Sequence, residues 1–271
     1  MKPIGISERL LYNTVMLVTD TSAGTGFFFN FLMDGQTVPV LITNRHVVEP
    51  SPLESNPDKT VSFYLHLLEE DGSTTKNVAI SLETEWFLHP SHDLCFTFIN
   101  PLFEEVKWRT GKDVYFVGID EKLIPTQYEL SQLTAIEEIV MVGYPTGLWD
   151  VKRNLPVFRK GYTANHPAHD FNWDGIGLAD IATFPGSSGS PVFIFNESGY
   201  TDKAGNYHMG TRLLFLGVLM LAGYGLKTKE FEIEDIPIKV ETDYFSDVGY
   251  YIKSSEILDF KNIVRRELRR I

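Results

Sequence analysis

Short apolar segments alternate with turn-forming residues along most of the chain. Residues 26–32 and 38–43 are rich in aromatic and β-branched side chains, and Asp34 and Gly35 lie between them. Two apolar runs separated by a short polar turn with glycine are typical of a β-hairpin. Segments of this kind recur through both halves of a chain of 271 residues with 43% hydrophobic content. These features predict an all-β protein with a large core.

The C-terminal residues 254–264 depart from this pattern. They begin with serine, a common helix cap, and continue with apolar residues at helical spacing. We therefore predict a C-terminal α-helix packed on the second half of the protein. Residues 129–136 are predicted to continue the β pattern as a strand, and residues 101–111 to connect the two halves.

A turn of small residues lies at 184–193. Gly186 and Gly189 flank Ser188, and glycine reaches backbone angles that strain other residues. Such a turn can expose the Ser188 hydroxyl and direct the N–H groups of Gly186 and Ser188 at one point, as an oxyanion hole requires. Clusters of Ser, Gly and Pro also form ordinary turns, so the turn alone leaves a structural role open.

A serine nucleophile needs a general base and a third group that orients the base. His46 directly follows the apolar run 38–43, and Asp93 directly precedes the apolar run 94–99. We therefore predict that His46, Asp93 and Ser188 form a catalytic triad. The chain order of the three residues is His, Asp, Ser.

Four ordered motifs resemble those around the triad of chymotrypsin-fold serine peptidases, which have the same chain order. The motifs are Gly24-Thr25-Gly26-Phe27-Phe28, Thr43-Asn44-Arg45-His46-Val47-Val48, His92-Asp93-Leu94 and Gly186-Ser187-Ser188-Gly189-Ser190-Pro191. The chain resembles in particular the bacterial trypsin-like peptidase domain, similar to the protease core of the high-temperature-requirement family. This resemblance implies two six-stranded antiparallel β-barrels and a C-terminal α-helix. Residues 1–110 would carry His46 and Asp93, and residues 111–271 would carry Ser188.

The resemblance implies a serine endopeptidase that cleaves protein or peptide substrates through an acyl-enzyme. Two alternatives stay open. A catalytically silent relative would use its cleft only to bind peptides or partners, since a fold does not guarantee an activity. An intracellular esterase or acyl-transfer enzyme would use the same chemistry with a different pocket.

The resemblance also places the pocket for the substrate side chain. Its floor is implied at Ala182. The walls are implied at Thr183, Met220, Leu221, Ala222, Gly223 and Gly225. Because the floor carries no carboxylate, we expect a small or medium apolar side chain at the cut site rather than Lys or Arg.

Composition disfavours several other function classes. The formal net charge of −12 disfavours a nucleic-acid partner, because phosphate binding needs clustered Lys and Arg. His166 and His169 have a spacing that can suggest metal ligands, but Pro167 interrupts the pair, so no metal or cofactor is predicted. The longest apolar run, residues 213–223, is shorter than the about 20 residues of a membrane-spanning helix, and no membrane partner is expected.

Cysteine content and the N-terminus predict a cytoplasmic protein. Cys95 is the single cysteine, which excludes an intrachain disulfide and fits a reducing compartment. The first residues lack the apolar region of a signal peptide. Within its apolar run, Cys95 is predicted to be a buried small residue rather than a reactive thiol.

Residues 227–247 are rich in Asp and Glu. Their pattern favours a solvated hairpin, and a regulatory or substrate-steering role is the alternative. The sequence leaves the oligomeric state and any regulatory partner open.

Overall fold

The structure, a computed structural model, describes residues 2–49, 60–74, 76–145, 148–233 and 236–270. For residues 221–233 and 236–246 it describes the backbone only. These ranges form two large β-sheets, and a C-terminal helix follows them. The predicted all-β, chymotrypsin-like fold with a C-terminal α-helix is confirmed.

Nine strands within the described ranges form the first sheet, in the order β5-β4-β1-β2-β3-β7-β6, with β8 beside β4 and β9 beside β2. All pairs are antiparallel except β2 with β9. This sheet is a half-barrel of nine strands rather than the six-stranded barrel predicted, and β8 and β9, which follow residue 110 in the chain, add to it. The strands are β1 (Thr14–Val18), β2 (Ala23–Met33), β3 (Gln36–Thr43), β4 (Thr60–Leu67), β5 (Asn77–Glu83), β6 (Phe87–Leu88), β7 (Cys95–Phe98), β8 (Val114–Tyr115) and β9 (Ile119–Asp120).

The second sheet closes into the predicted six-stranded barrel, in the order β10-β11-β12-β17-β16-β13. Its two longest strands pair beyond the barrel as far as Ile233 opposite Ile236, which confirms a hairpin at residues 227–247. The strands are β10 (Glu138–Gly143), β11 (Val157–Thr163), β12 (Ile176–Asp180), β13 (Pro191–Asn196), β14 (Gly199–Thr201), β15 (Tyr207–Met209), β16 (Arg212–Ile233) and β17 (Ile236–Lys253), of which β14 and β15 form a separate small hairpin.

Short helices connect and flank the sheets. The strand predicted at residues 129–136 is wrong, because the helix Gln127–Gln132 overlaps it. Thr126 Oγ1 accepts from the backbone N–H of Glu129 at 3.2 Å, and the Glu129 carboxylate accepts from the backbone N–H of Thr126 at 2.7 Å. This reciprocal capping starts a helix, and the Thr-x-x-Glu spacing was its signal in the sequence. The helices are α1 (Ile6–Leu10), α2 (Arg45–Val48), α3 (Asn100–Thr110), α4 (Gln127–Gln132) and α5 (Phe260–Leu268), with 3-10 helices at Glu121–Leu123 and Ser254–Asp259. Among the described residues, none of these helices has the length and apolar character to cross a membrane.

Aromatic side chains join the two sheets. Successive residues of a strand point to opposite faces, so Phe27 and Phe29 of β2 share one face. Both pack on Phe215 of β16, at ring-centroid distances of 5.5 and 6.4 Å, and Phe215 packs on Phe193 of β13 at 5.5 Å. All four side chains are fully buried. Since burying one phenylalanine contributes about 1.5–3 kcal/mol, this cluster holds the sheets in a fixed relation.

The sequence predicts a helix packed on the second half of the protein, but the C-terminal segment contacts both sheets. Ser254 Oγ donates to the carbonyl of Phe215 in the barrel at 2.6 Å. Phe260 at the start of α5 packs on Phe96 of the first sheet and on His89, at ring-centroid distances of 4.9 and 5.1 Å. The segment therefore bridges the two halves of the protein.

The turn at residues 186–189 also docks directly on the first sheet. Thr25 of β2 donates its backbone N–H to the carbonyl of Ser188 at 2.9 Å and its hydroxyl to the carbonyl of Gly186 at 3.0 Å. Thr43 of β3 donates its hydroxyl to the carbonyl of Thr25 at 2.8 Å. A Cβ atom on Gly189 would lie 1.9 Å from that Thr25 oxygen, and Gly189 has a φ of 83°. Only glycine fits this contact.

We predict that Gly189→Ala destabilises the protein much more than Gly35→Ala. Gly35 has a similar φ of 81°, but nothing lies within 4 Å of its Cβ position. Gly35→Ala should therefore lose only the about 1–2 kcal/mol of a left-handed residue, whereas Gly189→Ala should lose about 1–3 kcal/mol more from the clash. Urea denaturation of both variants measures the difference. Equal losses would show that the turn does not dock tightly on Thr25.

His66 of β4 is a buried histidine away from the predicted triad. It is 3% exposed, and its ring packs edge-on against Tyr12 at a centroid distance of 4.8 Å. Burial disfavours the charged imidazolium and lowers the pKa of His66 to about 4. The folded protein therefore holds this ring neutral at pH values at which the unfolded chain protonates it.

This difference predicts a loss of stability in acid. Because the folded-state pKa lies below the unfolded value of 6.5, His66 stabilises the fold fully above about pH 6.5, and this contribution declines as the pH falls towards 4. The difference between the folded and unfolded pKa values corresponds to a loss of about 3 kcal/mol in the free energy of unfolding. His66→Phe keeps a ring against Tyr12 but does not titrate. From pH 7 to pH 4, the unfolding free energy of the wild type should fall by about 3 kcal/mol more than that of His66→Phe, and parallel curves would refute the prediction.

Candidate active site

A short helix and a neighbouring loop bring His46 and Asp93 together. Asn44 at the start of α2 donates its side-chain amide to the carbonyl of Asp93 at 2.8 Å. The backbone N–H of His46 donates to Asp93 Oδ1 at 3.0 Å, and His46 Nδ1 lies 2.5 Å from Asp93 Oδ2. The carboxylate thus holds both the backbone and the ring of one residue. With the proton on Nδ1, the lone pair of Nε2 is available to act as a base.

The pair is partly open to solvent. The side chains of His46 and Asp93 are 41% and 27% exposed. A half-exposed imidazole can reach a bound substrate with Nε2 while the carboxylate holds the ring at Nδ1. This arrangement suits a general base, which must contact the group whose proton it takes.

Ser188 lies in the docked turn, but its hydroxyl points elsewhere. Ser188 Oγ donates to the carbonyl of Met220 in β16 at 3.3 Å. Within the part of the chain that the structure describes, no hydrogen bond joins Ser188 to His46. The structure therefore brings His46 and Asp93 into contact and docks the Ser188 turn on Thr25, without the bond between serine and histidine.

Two backbone N–H groups of the turn are candidate oxyanion donors. Gly186 adopts a φ of 86°, and its carbonyl is held by the Thr25 hydroxyl. Among the described residues, neither the N–H of Gly186 nor the N–H of Ser188 donates to a protein acceptor. Both residues are those predicted for the oxyanion hole, and free N–H groups next to a serine are the chemical requirement for one.

The predicted pocket is described only in part. Ala182 and Met220 are half-buried, and Thr183 is buried, with a hydroxyl that has no partner among the described residues. Backbone alone is described for the remaining wall residues in β16, whose side chains lie outside the described part: Leu221, Ala222, Gly223 and Gly225.

Sequence patterns did not identify two residues of the site. Thr25 lies in the motif Gly24-Thr25-Gly26-Phe27-Phe28, and its position between two glycines is a sequence signal for a close backbone approach. Arg159 of β11 had no such signal: its guanidinium carbon lies 4.4 Å from the ring centroid of Phe184, close enough for a cation–π contact. Phe184 precedes Ser188 by four residues and is 40% exposed, so Arg159 places a positive charge beside the turn.

Cys95 follows Asp93 by two residues and has no exposed surface, which confirms its predicted burial. Its thiol donates to the carbonyl of Thr43 at 3.8 Å. Burial, together with the nearby Asp93 charge, raises the pKa of the Cys95 thiol well above its usual value. The thiol therefore stays protonated and is a poor nucleophile.

Three solved structures similar to this chain carry the names of peptidases. The Rv3671c protease of M. tuberculosis H37Rv, in an inactive form, is 14% identical, with a TM-score of 0.45 over 92% of this chain and 87% of that one. A Glu endopeptidase is 15% identical, with a TM-score of 0.47 over 93% and 90%. Kallikrein-related peptidase 10 is 11% identical, with a TM-score of 0.44 over 97% and 98%. No curated protein matches this chain.

A family model matches the part of the chain that carries the candidate site. Residues 24–200 match the family model of the trypsin-like peptidase domain. This stretch is well over half of the chain, and it contains Thr25, His46, Asp93 and Ser188. The chain therefore belongs to the trypsin-like peptidase family.

Proposed function

We propose that this protein is a serine endopeptidase in which His46, Asp93 and Ser188 act as the catalytic triad. The observation that carries the proposal is the double contact of Asp93 with His46, through the backbone N–H and Nδ1 of one residue. Asp93 stabilises the imidazolium that forms when His46 takes a proton. The docking of the Ser188 turn on Thr25 supports the same assignment, because Thr25 is in turn bonded to Thr43, near His46 in the chain.

The proposed reaction begins at Ser188. Its Oγ attacks the substrate carbonyl while His46 Nε2 takes the hydroxyl proton, and the tetrahedral oxyanion binds the N–H groups of Gly186 and Ser188. His46 then gives the proton to the leaving amine as the peptide bond breaks, which leaves an acyl-enzyme. Water, activated by His46, attacks the acyl group and releases the second product and the free serine.

For this step the Ser188 hydroxyl must leave the carbonyl of Met220. A rotation about the Cα–Cβ bond of Ser188 would turn Oγ away from Met220 without a change in the backbone. The hydrogen bond given up has a net value of about 0.5–1.5 kcal/mol. This cost is small against the about 8–23 kcal/mol by which enzymes lower barriers, so the resting arrangement is compatible with turnover.

The same Met220 contact favours one alternative. If the hydroxyl stayed bound to Met220, the protein would be a catalytically silent relative that binds peptides in its cleft. A covalent probe of serine reactivity separates the two possibilities. An esterase with the same triad would react with the probe as well, but it would turn over esters and not peptides.

We predict that a fluorophosphonate labels Ser188 and that Ser188→Ala abolishes both the labelling and peptide hydrolysis. Loss of the nucleophile should reduce kcat about 10⁶-fold. Ser62→Ala is the control, since Ser62 lies in β4 and its hydroxyl bonds to Ser81; this variant should label and cleave normally. Absence of labelling in the wild-type protein would favour the silent relative, and hydrolysis of esters without peptides would favour the esterase.

We propose further that the pocket accepts a small or medium apolar side chain. None of the described lining residues, Ala182, Thr183 and Met220, is a carboxylate that could pair with Lys or Arg. Arg159 beside Phe184 adds a positive charge close to the turn, and like charges repel a basic substrate side chain. Both features disfavour cleavage after Lys or Arg.

A peptide-library digest tests this preference. The wild-type profile should be led by Ala, Val or Leu before the cut bond, and cleavage led by Lys or Arg would contradict the proposal. Ala182→Asp tests the pocket floor itself: a carboxylate there should raise cleavage after Lys and Arg relative to apolar residues. An unchanged profile in this variant would show that Ala182 does not form the floor.

A further inference from the structure

The loop before Asp93 has a defined internal structure. His89 is fully buried, and its Nδ1 accepts from the backbone N–H groups of Ser91 and His92, at 3.2 and 3.0 Å. Nε2 therefore carries the ring proton and donates to the backbone carbonyl of Glu256 at 3.0 Å. Burial lowers the pKa of His89 and so favours the neutral ring, while the bonds at its two nitrogens select this tautomer.

A second histidine of the loop contacts the same distant residue. His92 Nε2 lies 3.0 Å from Glu256 Oε2, and the two side chains are 14% and 25% exposed. His92 directly precedes Asp93. Glu256 thus accepts two bonds from the loop, one at its backbone oxygen and one at its carboxylate.

Glu256 itself is held firmly on the second barrel. It lies in the 3-10 helix Ser254–Asp259, whose first residue donates its hydroxyl to the carbonyl of Phe215. Its side chain packs over Gly175, where an added Cβ would come within 2.7 Å of the Glu256 carboxyl carbon. Gly175 leaves room for the carboxylate, and the side chain is confined between the barrel and the loop.

We infer that Glu256 is a positioning residue for catalysis: through His92 and His89 it fixes the loop that aligns Asp93 with His46. The inference rests on the proposed triad. Asp93 acts only while its carboxylate faces both the ring and the backbone N–H of His46. A displacement of about 1 Å in a catalytic group can cost about 10²-fold in rate. An anchor on the second barrel limits the movement of the loop, in addition to the bonds that Asn44 and the His46 N–H make with Asp93.

Three variants test the role of the side chain. Glu256→Ala should reduce kcat about 10- to 100-fold with little change in KM, because Asp93 alignment affects the chemical step and not substrate binding. Glu256→Gln retains an acceptor for His92 and should keep kcat within about 3-fold of the wild type, again because alignment sets the rate. Glu267→Ala is the control: Glu267 pairs with Arg266 and Arg270 in the same C-terminal segment, and its loss should leave kcat unchanged.

A second variant keeps the test valid if Glu256→Ala folds poorly. His92→Phe removes the same bond from the loop side and should lower kcat similarly. The double variant should show no further loss, because both changes break one contact. The inference is overturned if folded Glu256→Ala or His92→Phe has the kcat of Glu267→Ala, if only KM changes, or if Glu256→Gln is as impaired as Glu256→Ala.

Failure of the triad proposal can be told apart from failure of this inference. The ¹⁵N-coupled NMR signal of the His46 Nδ1 proton reports the bond to Asp93 without turnover. It should be sharp in the wild type and in Glu267→Ala, and exchange-broadened or lost in Glu256→Ala. A wild-type protein that does not react at Ser188 but shows this pattern would refute the peptidase and retain the anchor. An unchanged signal in Glu256→Ala would refute the anchor alone.

Discussion

The site depends on one contact between the two sheets, in which Thr25 of β2 bonds to the carbonyls of Gly186 and Ser188. His46 lies in the short helix after β3 and Asp93 in the loop before β7, whereas Ser188 lies in the turn before β13, so no local segment can unite them. One backbone and one side-chain hydrogen bond from a single threonine hold the turn in place, and the glycine at 189 lets the chains approach. The hydroxyl of Thr43 extends this contact to the strand that leads into α2 and His46.

Two further elements stabilise this contact from either side. The cluster around Phe215 fixes the sheets by burial of aromatic surface, which is strong but non-directional. The C-terminal segment adds directional contacts, because Ser254 bonds to the barrel while Glu256 holds the loop before Asp93. Aromatic packing thus sets the distance between the sheets, and a few hydrogen bonds set the orientation of Asp93 and of the turn that carries Ser188.

The features that sequence could predict are those with local signals. Alternating apolar segments predicted the β class, and the acidic pattern of residues 227–247 predicted a hairpin. The ordered motifs predicted the family and, through the resemblance, the second barrel. The strand predicted at 129–136 was wrong, because the capping pair Thr126 and Glu129 outweighed its apolar residues. Contacts between distant residues leave no such pattern: the bond of His92 to Glu256, the position of Arg159 and the direction of the Ser188 hydroxyl all depend on the assembled fold. The roles of His46, Asp93 and Ser188 stay predictions.

The most direct measurement is a crystal structure of the protein after reaction with a fluorophosphonate. The account predicts a bond between Ser188 Oγ and phosphorus, with Oγ turned away from Met220. The phosphoryl oxygen should lie about 2.7–3.1 Å from the backbone N atoms of Gly186 and Ser188, and His46 Nε2 should lie within hydrogen-bonding distance of the adduct. An adduct on another residue, or one on Ser188 whose oxygen misses both N–H groups, would contradict the account.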